Sequence, residues 1–272
     1  KANMTFQPES PYPVITPEEA WRRVAAQLKP LAPVSIPVNR ALGLVLAEDV
    51  AASENMPPFP SSAMDGYAVI AADPAAERRV TGQQDAGLRQ ASTVTAGRAA
   101  RLMTGGPVPE GADAVIPVEQ TREAAGVVTL LAPVKPGQNV RPVGQDFRAG
   151  EGVLAKGAVL GPAEIGLLAM VGRAEVLAHP RPRVAVIATG NELVPPGEPL
   201  APGQIRDSNS YALLAAVEAA GGAPVYLGRI PDDEAALRAA LERGLAEADL
   251  TLSSGGVSMG ARDLIKPLLA EL

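Results

Sequence analysis

Three carboxylates, Glu192, Asp232 and Asp263, each stand just beyond an apolar run that reads as a buried strand. Strands of one parallel sheet carry their ends to a common rim, so these oxygen ligands are expected to converge and to suit a hard cation such as Mg2+ held against a phosphate. Two of them border turns rich in small residues, ATGNEL (188–193) and SSGGVSMGARD (253–263). Glycine lets backbone N–H groups close around an anion, and Ser253, Ser254 and Ser258 add hydroxyl donors, so the second turn reads as a phosphate cradle. It lacks the GKS or GKT of a P-loop. A plainer reading stands beside this one: such turns are common connectors, and Asp232 lies where a helix cap is needed.

Further acids and hydroxyls occur upstream. PPFPSSAMDGYAV places Asp65 in a Pro/Ser turn before an apolar strand, and TGGPVPEGADAVIPVE places Thr104 at a Gly-Pro turn. By residue type alone both are ordinary turns. VRPVGQDFRAGE sets Arg141 near Asp146 and Arg148, where an arginine meets either a phosphate or a neighbouring carboxylate.

The elements that must position these groups follow from the pattern. Thr16, Pro17 and Glu19 form an N-cap, a helix-compatible proline and a capping-box partner for a helix that stops at Lys29 before Pro30. From Pro33 to Val140, short apolar runs such as YAVIA, VIPVE and VVTLL between Gly, Pro and Asp clusters predict a β-rich, irregular region. Between Gly150 and Ala178 a strand, a helix over Ala163 to Val171 begun by Pro162, and a second strand are expected. After Pro180 and Pro182, RVAVIAT (183–189) is continuous enough for a strand buried on both faces.

Asp207 or Ser208 then caps a helix stopped by Gly221 and Gly222, PVYLGRI makes a second strand, Asp232 caps DEAALRAALERGLAEA, ADLTLSS is a third strand, and a last helix runs from Asp263 to Leu272. This alternation predicts parallel strands with right-handed crossovers and a ligand site at their carboxyl ends. The fold class is therefore multi-domain, α/β and β.

Composition narrows the function. A net charge of -6 and 3% aromatic residues argue against nucleic-acid binding. No apolar run approaches the roughly 20 residues of a membrane span, and KANMTFQPES lacks the apolar core of a signal peptide, so no membrane role and a cytoplasmic location are expected. With no cysteine and one histidine, His179, disulfides and thiolate or histidine metal cages are excluded.

Taken in order, SSAMDGYAV, TGGPVPEGADAVIPVE, VRPVGQDFRAGE, ATGNEL, GQIRDSNSYAL and SSGGVSMGARD resemble the molybdopterin molybdenumtransferases, the MoeA and gephyrin family, over nearly the whole chain. The resemblance implies transfer of molybdenum from molybdate to adenylylated molybdopterin, giving molybdenum cofactor and AMP with Mg2+. It also implies a homodimer, an adenylyltransferase that supplies the substrate, and a cleft between the α/β domain of one subunit and the β domain of the other.

The domains it implies are an elongated helical domain (1–54 with 141–180), an inserted β-rich domain (55–140) and a three-layer molybdopterin-binding α/β domain (181–272). By matching position, Asp65, Thr104, Glu192, Asp232 and Asp263 resemble the catalytic set, the last three of them the metal set. Arg141, Asp146, Thr189, Gly190, Asp207, Ser208, Ser254, Gly255, Gly256 and Ser258 resemble substrate contacts. Asn191 stands where the family often has aspartate and Gln145 where it often has glutamate. The family's lysine-rich KPGKP-type segment and C-terminal β-barrel are not in this sequence. An adenylyltransferase-like enzyme and a gephyrin-like scaffold remain as alternatives.

Overall fold

The computed structural model describes residues 14–84, Gly87, 93–255 and 264–272. The first helix, Pro17–Gln27, begins as its sequence requires: the Thr16 hydroxyl accepts from the Glu19 N–H at 3.2 Å. The Glu19 carboxylate pairs with Arg22 and Arg23, each at 2.8 Å. The helix ends two residues earlier than predicted, with Leu28 already extended. None of its residues is buried, and Trp21 is 67% exposed.

The chain divides into two compact units, residues 1–35, 43–45 and 177–272 forming one and 36–42 and 46–176 the other. The second unit is built on a six-stranded sheet ordered Ala114–Pro117, Gly66–Val69, Arg98–Leu102, Glu77–Gln84, Val127–Leu130 and Thr121–Ala124. All its pairings are antiparallel except Glu77–Gln84 with Arg98–Leu102. Successive strand residues face opposite ways. Tyr67 and Val69 accordingly enter one core cluster with Ile116 and Val128, while Ala68 enters another with Val94, Leu102 and Val115. Burial on both faces explains why the run after Asp65 is apolar without alternation.

Inside this unit Arg78, 1% exposed, lies 3.2 Å from the Asp73 carboxylate and donates to the Asp73 carbonyl at 2.7 Å. Asp73 in turn accepts from the Gly97 N–H at 2.7 Å and the Ala75 N–H at 3.1 Å, which hold its carboxyl below the usual range. A third cluster packs Leu168 of the helix Pro162–Met170 against Leu46, Val50 and Leu160.

The first unit contains a parallel sheet ordered Ala223–Ile230, Arg183–Thr189, Leu250–Ser254. From Val184 to Thr189 the central strand is buried, as its unbroken apolar run predicts. Ala185 and Ile187 pack with Leu227, Leu237, Leu241, Ile265 and Leu268. Of the caps, Asp207 accepts from the Ser210 N–H at 3.0 Å in front of the helix Asn209–Ala219.

The next helix corrects an expectation. Helix Glu234–Glu247 is capped by Asp233, whose carboxylate accepts from the Ala236 N–H at 2.9 Å, and not by Asp232. The chain enters that helix one residue later than the sequence suggested, and Asp232 is released from the capping role. The last helix is Ile265–Glu271; its predicted start at Asp263 lies outside the described residues.

Candidate functional site

Where the three parallel strands end, their following turns enclose a cleft of about 310 Å3. Thr189 and Gly190 come from the end of the central strand, Asp232 from beyond Ile230, and Ser254 and Gly255 from the end of the third strand. The last backbone pairs are Thr189 with Ile230 and Ala188 with Ser254, which brings these turns level. Glu192, Asp207 and Ser208 line the same cleft. Eight of the expected site residues of this unit therefore share one cavity; Gly256, Ser258 and Asp263 lie outside the described residues.

Two glycines shape the floor. Gly190 has φ +141°, and a Cβ there would stand 2.6 to 2.8 Å from the Glu192 carboxylate atoms. Gly255 has φ +125°, and a Cβ there would stand 2.8 Å from the Thr189 hydroxyl. Each turn thus seats a polar side chain in the space that a larger residue would fill. The hydroxyl of Ser254, another residue of the cleft, is buried without a hydrogen-bond partner among the described residues. A buried hydroxyl left unpaired is costly, and a ligand oxygen is one way to satisfy it.

Asp207 is 2% exposed and is held from beneath: the Ser210 hydroxyl donates to it in a short bond, and the Tyr226 hydroxyl approaches at 3.5 Å. One wall is a two-stranded ribbon, Leu193–Val194 beside Ile205–Arg206, in which Ile205 N–H donates to the Glu192 carbonyl at 2.8 Å and Asp207 N–H to the Val194 carbonyl at 2.9 Å. Leu193, Ile205, Arg206 and Asn209 line the cleft without having been expected. The first three lie on two-residue strands, which carry no periodicity from which to predict them, and Asn209 opens the helix behind the Asp207–Ser208 turn.

Glu192 and Asp232 both line the cleft, and carboxylates are a donor chemistry that fits a hard divalent cation. No group of three His, Asp or Glu side chains able to hold a metal is present among the described residues.

The other unit carries the second set. Asp65 accepts at Oδ1 from both the backbone N–H and the hydroxyl of Thr104, each at 2.7 Å. These two bonds, the hydroxyl first, hold the Asp65 carboxyl below its usual range, with the Arg101 charge assisting. Its Oδ2 makes no hydrogen bond among the described residues. Strand register places Tyr67 opposite Arg101, whose guanidinium lies 6.0 Å over the Tyr67 ring and 3.6 Å from Glu123. Burial and the hydrogen bond to Glu123 raise the Tyr67 hydroxyl, so it stays protonated. Arg141 meets the nearer of its two expected partners, the Asp146 carboxylate at 2.6 Å.

Residues 15–172 match the family model described as MoeA N-terminal region (domain I and II). The chain belongs to the MoeA family. Residues 185–272 match a second model, a probable molybdopterin binding domain. Among curated relatives, a molybdopterin molybdenumtransferase 2 of Mycobacterium tuberculosis is 44% identical over 92% of this chain and 63% of its own length. A molybdopterin molybdenumtransferase of Haemophilus influenzae is 37% identical over 95% of this chain and 65% of its own length. The chain thus spans less than two thirds of the curated relatives it matches. A molybdopterin biosynthesis MoeA protein structure from Pyrococcus horikosii superposes with a TM-score of 0.76 at 34% identity, covering 95% of this chain and 67% of that one. That likeness bears out the multi-domain α/β and β fold class.

Proposed function

We propose that the protein to which this chain belongs transfers molybdenum from molybdate to adenylylated molybdopterin, releasing AMP and molybdenum cofactor. The observation that carries this reading is the acidic cleft at the strand ends, where Glu192 and Asp232 meet the Gly190 and Gly255 turns within a MoeA-family fold. The curated relatives are named molybdopterin molybdenumtransferases, which supports a molybdenum transfer to molybdopterin.

In the cleft, backbone groups of the glycine turns and the Ser254 hydroxyl bind the phosphate, and Asp207 fixes the Ser208 turn beside it. Glu192 and Asp232, with Asp263, would hold Mg2+, and the ion would supply positive charge to offset that of the phosphate. Asp65 stays ionised and offers its second oxygen to substrate N–H or O–H groups, while Thr104 keeps it oriented. Arg141 and Asp146 act as a fixed pair of substrate contacts.

The protein works as a homodimer receiving substrate from an adenylyltransferase; the uncovered Trp21 and Val24 of the first helix, 67% and 55% exposed, support a subunit contact there. The three-part division 1–54 with 141–180, 55–140 and 181–272 belongs to the same proposal; all six strands of the large sheet fall within its middle segment. No helix among the described residues is long and apolar enough to cross a membrane, and the reaction is assigned to the cytoplasm.

The test is to incubate the complete protein with adenylylated molybdopterin, molybdate and Mg2+ and follow AMP release with activation of a molybdenum-free apoenzyme. Glu192→Ala and Asp232→Ala are expected to lose both signals. Transfer of AMP from ATP to molybdopterin in place of its release would assign an adenylyltransferase instead.

A further inference from the structure

We propose that Asn191 is a positioning residue: its side-chain carbonyl ties the Asp232 turn to the Gly190 turn and so sets the spacing of the two carboxylates that take a divalent cation. This inference rests on the metal reading above.

The backbone ladder between the central strand and its neighbour has its last pair at Thr189 and Ile230. Just past it, the Gly190 N–H donates to the Ile230 carbonyl at 3.3 Å, and the Asp232 N–H donates to Asn191 Oδ1 at 3.2 Å. The two bonds run in opposite directions between the turns. Asn191 therefore extends the strand pairing by one step with a side chain, where the backbone alone would let the turns splay. The residues on either side of this tie are the ones that matter: Glu192 follows Asn191 directly, and Asp232 is the residue whose N–H is held.

Coupling to Glu192 is equally direct, because its carboxylate sits where a Cβ on Gly190 would stand, 2.6 Å from the nearer oxygen. A change in the Gly190–Asn191 turn therefore alters the space in which that carboxylate rests. Asn191 itself is exposed and does not line the cleft, so it acts through its neighbours and not on substrate. An amide is also suited to the place. It accepts as a carboxylate would, yet adds no charge beside a cleft already lined by Glu192, Asp207 and Asp232.

The geometry predicts how three substitutions differ. Asn191→Asp keeps an acceptor, whereas Asn191→Ala and Asn191→Leu remove it. In the full-length protein, amide NMR reads the Asp232 N–H directly, and Mn2+ titration followed by electron paramagnetic resonance reads the consequence. Asn191→Ala and Asn191→Leu should shift the Asp232 amide proton upfield, speed its exchange and weaken Mn2+ binding about tenfold, the scale of outer-shell effects on metal sites. Asn191→Asp should restore the amide signature and bind Mn2+ at least as well as the wild type. Unaltered circular dichroism melting across the series separates positioning from unfolding.

Wild-type Mn2+ affinity in Asn191→Ala, or an Asp232 amide indifferent to the substitution, overturns the proposal. Failure of the wild-type protein to take Mn2+ at all overturns the metal reading beneath it.

Discussion

Gly190→Ala separates two demands that the structure places on a single residue. The backbone there has φ +141°, a region that side-chain-bearing residues rarely enter, and holding alanine in it costs about 1–3 kcal/mol. For a folded unit of this size, about 2–4 °C of melting temperature accompanies each kcal/mol, so a drop of about 2–12 °C is expected. The added methyl would also stand 2.6 to 2.8 Å from three atoms of the Glu192 carboxyl group. That group ends a flexible, exposed side chain, so it swings aside at little cost to stability. On the proposed function, the cost is expected instead in Mn2+ binding and AMP release.

A double-mutant cycle with Glu192→Ala makes the distinction measurable. In thermal melts, Gly190→Ala should destabilise equally with and without Glu192, with a coupling within about 0.5 kcal/mol, because backbone strain does not involve the carboxylate. In Mn2+ titrations, if Glu192 is a ligand as proposed, all three variants should bind more weakly than the wild type, and Gly190→Ala should add nothing once Glu192 is gone, because it acts only by displacing that carboxylate. Melting at the wild-type temperature would refute the strain argument. Undiminished Mn2+ affinity in Gly190→Ala would refute the claim that the glycine exists to seat Glu192.

Asp232 and Asp233 are neighbours with opposite expected phenotypes. Asp233→Ala removes a helix cap and should cost about 0.5–2 kcal/mol in urea unfolding with divalent binding intact, whereas Asp232→Ala should leave stability alone and weaken Mn2+ binding; exchanged phenotypes would return Asp232 to the cap. Thr104→Val removes the first cause of the lowered Asp65 pKa. A carboxyl with a folded pKa below its unfolded one contributes stability that is present above the unfolded value and lost as pH falls through the folded value. The substitution narrows that gap, so the acid limb of AMP release and the carbon-13 titration of Asp65 should both move to higher pH; identical titrations would remove Thr104 from the argument. Ile187→Ala, in the buried central strand, should destabilise by about 2–5 kcal/mol in urea unfolding without altering Asp65 titration.

What could be read from the sequence divides along a physical line. The central strand Arg183–Thr189 announces itself because burial on both faces demands an unbroken apolar run, whereas Leu250–Ser254, read from the sequence as equally buried, is only partly so because it lies at the sheet edge. The parallel arrangement of both with Ala223–Ile230 then carries the following turns to one rim. That is enough to bring Thr189, Gly190, Asp232, Ser254 and Gly255 together without any coordinate. Groups fixed by single hydrogen bonds are another matter. Asp232 and Asp233 are chemically identical, and only the angle at which the chain enters the helix decides which one caps and which one faces the cleft.

The buried Arg78 with Asp73 and the neutral tie at Asn191 leave no periodic trace, because an arginine in a strand or an asparagine in a turn reads as solvated until its partner is located. Asp65 lies between these cases: its turn was visible, but the two bonds from Thr104 that hold it ionised come from a segment 39 residues away. Long-range polar pairing of that kind, rather than strand or helix propensity, converts a rim of acids into a site with defined charge, and so the variants that discriminate best are those that move one hydrogen bond while leaving the apolar sheet intact.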